Sequence, residues 1–217
     1  MSNPDSFIQE VTEEVRRDRF YGYVRRYGWI AVLLVLLVVG GAAFNEWRKA
    51  RDQAQAEAFG DAVLAALSAG DAEARRAALA DVEAPGARRA ILALLEAAEA
   101  QRAGDTDAAL AAFAAIENDG AMPASYRQLA ALKRVMLAGP AMPAEEREVV
   151  LSSLAQPEMP FRPLAMEQIA LLRIEAGERD AALAVLRDLL DEPQATEDLR
   201  ARVQQLIVAL GGDPAAG

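Results

Sequence analysis

Cysteine and histidine are both absent from the 217 residues. No disulfide, zinc cluster, thiol nucleophile, Ser-His-Asp triad or imidazole base can be built from such a chain. The missing cysteine does not choose a compartment, because proteins of the cytosol and of the periplasm can both lack it. Aromatic residues are scarce in the second part of the chain. Eight of the twelve lie in the first 47 residues, and only Phe59, Phe113, Tyr126 and Phe161 follow. A core there has to be made mostly of Ala and Leu, which suits closely packed helices. A basic excess is missing too. Residues 1–28 carry five acids and five arginines, and the remainder carries 28 acids against 18 bases, which gives the whole net charge of −10. That acidity disfavours nucleic acid as a partner and disfavours adsorption on anionic lipid. Solubility is sufficient reason for it. The dense acid clusters, Glu145-Glu146-Glu148 and Asp188-Asp191-Glu192, read as solvated helix faces rather than catalytic carboxylate pairs. The expectation is a protein that is not an enzyme, with no cofactor and no metal.

What is there begins with one long apolar run. Residues 28 to 45 carry no charge, and the 21 residues from Tyr27 to Trp47 make a helix of roughly 30 Å, the thickness of a bilayer core. Trp29 and Trp47 bracket the run, and Tyr21, Tyr23 and Tyr27 precede it, as in an aromatic belt at a membrane interface. A transmembrane anchor is therefore expected over 28–47. A cleaved signal peptide competes: Ile30 to Val39 has the length of an h-region, and Gly41-Ala42-Ala43 would serve as a cleavage site. The 28 residues ahead of it, with five acids, make a poor n-region. Arg16, Arg17, Arg19, Arg25 and Arg26 precede the run, while Arg48, Lys49 and Arg51 follow it. Five against three places the N-terminus in the cytoplasm and the C-terminal domain in the periplasm of a bacterial inner membrane. In residues 1–27, Ser6 and Gln9 form a capping box, and Phe7, Ile8, Val11 and Val15 recur at helical spacing. That segment reads as a short amphipathic cytoplasmic helix.

The rest of the chain repeats. Glycines 70, 104, 139, 177 and 211 stand at intervals of 34, 35, 38 and 34 residues. Each can end one helix in a left-handed conformation before the next begins. Gly104-Asp-Thr-Asp-Ala-Ala-Leu-Ala111 aligns with Gly177-Glu-Arg-Asp-Ala-Ala-Leu-Ala184. Asp105 and Glu178 sit where an acid complements a helix N-terminus. Ala109 and Ala182 fall where small residues let paired helices touch, with Phe113 and Leu186 four residues on. Ala97 and Ala170 each lie seven residues ahead of a glycine. Pro140 and Pro143 delay the helix after Gly139 to about Ala144, and a closing helix is expected near 195–210.

A period near 34 with helices on both sides of the glycine resembles the tetratricopeptide family. The likeness is specific over residues 86–118 and 160–193, and Pro123 and Pro193 fall near repeat ends. It implies an all-α protein: one transmembrane helix followed by a tetratricopeptide-like helical solenoid over 48–212, with a disordered tail at 213–217. A plain antiparallel bundle with glycine turns is the alternative. Tetratricopeptide spacing also implies a protein-binding groove on the first helix of each pair. Its candidates are Ile91, Leu94, Tyr126, Leu129, Leu164 and Leu171, with Arg127 and Lys133 for polar contacts and Trp29 and Trp47 at the membrane interface. The full layout, a short charged N-terminus, one anchor, the exit Glu46-Trp47-Arg48-Lys49 and a periplasmic repeat domain, resembles the ancillary SecYEG translocon subunit family of the YfgM type. That resemblance implies an adaptor beside the translocon that passes emerging proteins to periplasmic chaperones. A self-associating cell-envelope scaffold is the alternative.

Overall fold

The computed structural model describes residues 4–213, and for residues 4–24, 26–28, 31 and 32 it describes the backbone alone. Among the described residues the secondary structure is entirely helical. Nine α-helices follow in order: α1 (Pro4–Leu67), α2 (Ala72–Ala80), α3 (Ala87–Arg102), α4 (Thr106–Asn118), α5 (Ala124–Ala138), α6 (Ala144–Leu154), α7 (Arg162–Glu175), α8 (Arg179–Leu190) and α9 (Glu197–Ala209). A single 3-10 turn, Gly139–Ala141, separates α5 from α6.

The chain divides into two compact units, Met1–Ala58 and Phe59–Gly217. In the first, Trp29, Ile30, the run from Leu33 to Val39, Phe44 and Trp47 are all exposed. Trp47 leans on Phe44, with ring centres 6.0 Å apart, and the Arg51 guanidinium lies 5.7 Å from the Trp47 ring centre. Among the described residues no helix is long and apolar enough to cross a membrane. The anchor expected over 28–47 includes side chains outside those residues, and so do the capping box at Ser6 and the amphipathic face of 7–21. Of the expected tail, Asp213 alone falls within them.

In the second unit each helix packs mainly on its sequential neighbours. The glycine punctuation explains how the chain reverses at each step. At Gly104, Gly177 and Gly211 φ is +77°, +76° and +73°, the left-handed region that glycine enters without a Cβ clash. All three close a Schellman motif: Asp105 N–H donates to Ala100 O at 3.0 Å, Glu178 N–H to Arg173 O at 2.9 Å and Gly212 N–H to Ile207 O at 2.9 Å. Gly70 departs from expectation, with no positive φ, while Gly139 ends α5 with a positive φ (φ +49°, ψ −135°) and leads into the 3-10 turn that contains Pro140. A fifth positive φ belongs to Gly86, which opens α3. Asp105 does cap α4, accepting from Ala108 N–H at 3.0 Å, and Asp71 caps α2 in the same way. Glu178 stands at the start of α8 without capping it, because its carboxylate turns to Arg173, 3.3 Å away.

The small positions are where the helices meet. Ala97, Ala109, Ala170 and Ala182 are fully buried, and Phe113 and Leu186 fill the adjoining space. With no side chain beyond Cβ, these alanines let the backbones of α3 and α4, and of α7 and α8, approach closely. Four core clusters run along the unit. Val63, Ala66, Leu79 and Leu92 form one, and Ala97, Phe113, Ile116 and Ala130 form the next. Leu132, Val135, Leu151 and Leu154 centre the third, and Leu183, Leu186, Leu189, Val203 and Ile207 the fourth.

Candidate protein-binding surface

Arginines tie the helices together before any surface is left for a partner. Arg75 of α2 donates to Glu99 of α3 at 2.7 Å, and Arg102 donates to the other Glu99 oxygen. Burial opposes ionisation of Glu99, which is 1% exposed, yet the hydrogen bonds and charges of Arg75 and Arg102 together outweigh it and hold the carboxyl below its ordinary value. Arg147 of α6 pairs with Glu175 of α7 at 2.7 Å, and Arg173 of α7 returns to Glu148 of α6. Arg202 of α9 forks onto Glu167 of α7 at 3.0 and 3.1 Å. Arg134 of α5 bonds Glu117 of α4 at 2.6 Å and Glu146 of α6 at 3.1 Å; the Glu117 bond does most to raise its pKa. Apart from Arg102–Glu99 within α3, these links join residues 12 to 35 positions apart in the chain.

The eight groove candidates then separate. Ile91 and Leu164 stand exposed on α3 and α7, at 37% each. Leu129 and Leu171 are half-buried, as is Tyr126. Leu94 packs against the cluster around Phe113, so it serves the core as well as the face. Lys133 is exposed, with its ammonium 5.9 Å from the Phe113 ring centre. Ile91 and Leu94 lie three residues apart on α3, and Tyr126, Leu129 and Lys133 recur at the same helical spacing on α5, as do Leu164 and Leu171 on α7. Each helix thus carries its own half-exposed stripe.

Arg127 falls elsewhere. It lines a cleft of about 360 Å³ with Glu117 of α4, Ala124, Gln128 and Ala131 of α5, and Val149, Val150, Ser153 and Leu154 of α6. The Arg127 Nε is buried and has no hydrogen-bond partner. Val149 on the cleft wall is 70% exposed. Neither the cleft nor Val149 was among the expected groove residues. The signal was present: α6 buries Arg147, Leu151 and Leu154, and Val149 lies about 200° around the helix from Arg147. An apolar residue on the solvent face of an acidic helix is what a binding edge looks like in sequence.

Two further clefts of about 390 Å³ are shallower in chemistry. One is walled by alanines of α2, α3 and α4 with Glu73, Arg76 and Glu96, the other by Leu110, Ala114, Met142 and the paired Arg134. Comparison with protein families, with curated proteins and with solved structures finds no match. The chain is an all-helical, repeat-like protein on its own geometry.

Proposed function

We propose that this protein is a membrane-tethered adaptor that binds other proteins through its helical repeats. The observation that carries the binding half is the set of apolar side chains left exposed at Ile91 and Leu164 on the first helices of two pairs, while the leucines behind them are sealed. Helical repeats stacked on sequential neighbours offer extended faces of this kind to polypeptides. The tether half rests on the uncharged run at 28–45, its bracketing tryptophans and the exposed apolar side chains from Leu33 to Val39.

The tetratricopeptide-like spacing and the layout resembling ancillary SecYEG subunits narrow the partners to translocon subunits, periplasmic chaperones or exported chains. The C-terminal domain is then periplasmic. Cross-linkable residues at Ile91 and Leu164, in cells expressing the full chain, test this directly. Capture of a translocon subunit or a periplasmic chaperone is the expected outcome. Capture of neither refutes the adaptor, and an active cytoplasmic reporter fused after Gly217 reverses the topology. Capture of a second copy or of other envelope proteins favours the scaffold.

A further inference from the structure

In the second unit nearly every arginine is committed. Arg75, Arg76, Arg89, Arg102, Arg134, Arg147, Arg162, Arg173 and Arg202 pair with carboxylates. Arg179 and Arg200 donate to helix-end carbonyls, and Arg88 lies over the Phe59 ring. Arg127 is different: it faces a concave site and has no acceptor for its buried Nε. Arg147 and Arg187 also have a buried, unpartnered Nε, but Arg147 is paired through Nη2 with Glu175, and neither lines any of the three clefts described.

Among the described residues Arg127 makes no ion pair. The acid on the cleft wall, Glu117, is held by Arg134 at 2.6 Å, and Arg134 also bonds Glu146 at 3.1 Å. The Arg127 guanidinium is thus left without a carboxylate of its own in a domain that is acidic overall. Its other wall is apolar, made by Ala131, Val150 and Leu154 with Val149 at the edge. A guanidinium with no carboxylate partner favours one, with a geometry that donates to two oxygens at once. The recess has room for roughly two or three side chains, the small end of ligand pockets.

We infer that the cleft between α5 and α6 binds a partner-protein segment in which an aspartate or glutamate is flanked by aliphatic residues. The carboxylate meets Arg127, and the neighbouring aliphatic side chain lies on Val149, Val150 and Leu154. The inference rests on the adaptor reading and specifies the chemistry of its ligand. It also locates recognition within one helix pair, apart from the stripes that carry Ile91 and Leu164.

The test uses the full chain in nanodiscs of neutral phosphatidylcholine. Two fluorescent pools of blocked seven-residue peptides are titrated by polarisation. Both have aliphatic residues flanking a central position, which is Asp or Glu in one pool and Asn or Gln in the other. The acidic pool is expected to bind at least tenfold more tightly. Arg127→Gln removes that preference, Arg127→Lys keeps part of it, and Val149→Ser weakens both pools, with thermal melting unchanged in each variant. Equal binding of the two pools, no binding of either, or a preference that survives Arg127→Gln overturns the inference. So does Arg127-dependent binding of anionic vesicles without peptide binding, which reassigns the site to a lipid headgroup. Envelope partners captured at Ile91 with no acidic preference would sink this inference and leave the adaptor standing. Acidic preference with no captured partner would do the reverse.

Discussion

Glu99 shows how one side chain holds two helices. Its carboxylate is 1% exposed and bridges Arg75 and Arg102, themselves 21% and 67% exposed. Removing Arg75 leaves a buried anion with Arg102 as its one remaining partner, whereas removing the charge of Glu99 leaves guanidinium groups that water can reach. Arg75→Met should therefore cost about 3 kcal/mol, and Glu99→Gln about 1–2 kcal/mol, measured by denaturant unfolding; equal costs would contradict the asymmetry. The pH dependence has a definite sign. The folded Glu99 carboxyl titrates below its ordinary value of 4.5, so its contribution is complete above 4.5 and is lost as pH falls through the lower folded value. Glu96, raised by burial against the attraction of Arg76, works the other way: its contribution is lost as pH rises through a value above 4.5. Glu99→Gln should flatten the acid limb of the stability curve. A different kind of strain sits at Glu158, where φ is +66°. Pro157 and Glu158 occupy the centre of a turn closed by Met159 N–H donating to Gln156 O at 3.3 Å. That second central position asks for glycine. A side chain in the left-handed region costs about 1–2 kcal/mol, and glycine's extra freedom in the unfolded chain returns about half of it. Glu158→Gly is expected to stabilise by about 0.5–1 kcal/mol, seen as a raised denaturation midpoint.

The helix reversals separate five glycines that look equivalent in sequence. At Gly104 and Gly177 a Cβ would meet no neighbour within 4 Å, but φ near +77° makes any side chain unfavourable. At Gly70 there is space and no positive φ. Gly104→Ala and Gly177→Ala should each lose about 1 kcal/mol, while Gly70→Ala should be neutral or stabilising by a few tenths. Thermal melts of the three variants decide it, and equal losses would mean that Gly70 too is held left-handed. The two glycines that carry the aligned Gly-acid-x-Asp-Ala-Ala-Leu-Ala kernel are both Schellman sites, so the kernel was legible because local chemistry alone dictates it. Ala97, Ala109, Ala170 and Ala182 were legible for the same reason: helix contact at those positions admits only small residues. Gly139 ends α5 with a positive φ, and α6 begins at Ala144 as Pro140 and Pro143 indicated; only its ψ of −135° departs from the left-handed cap. Glu178 stands at the N-terminus of α8 as the sequence indicated, but its carboxylate pairs with Arg173, five residues back, instead of capping the helix. Of the candidate surface, the stripes at Ile91 and Leu164 follow from helical spacing. The cleft at Arg127 does not, because it depends on which carboxylates the other arginines have already taken.

At the scale of the folded unit from Phe59 onward, sequential packing makes stability a chain of local terms. The four core clusters are passed along by helices that face two of them: α3 contributes Leu92 to one and Ala97 to the next, and α7 contributes Ala165 to one and Ala170 to another. Arginine pairs reach slightly further, from α2 to the α4 cap through Arg76 and Asp105 at 3.4 Å, and from α9 to α7 through Arg202. Neither spans the whole array. Damage to one cluster should accordingly stay near it. Leu186, fully buried among Met166, Leu189, Val203 and Ile207, is the clearest place to test this. Leu186→Ala leaves a cavity costing about 3–4 kcal/mol. Native-state hydrogen exchange on the full chain should then show protection falling in α7, α8 and α9, with α3 and α4 close to wild type. Phe113→Ala should give the converse pattern, because its cluster joins α3, α4 and α5. A uniform fall in protection from either variant would mean that the array unfolds as one cooperative body. The exposed faces on α3 and α7 would then be coupled rather than independent.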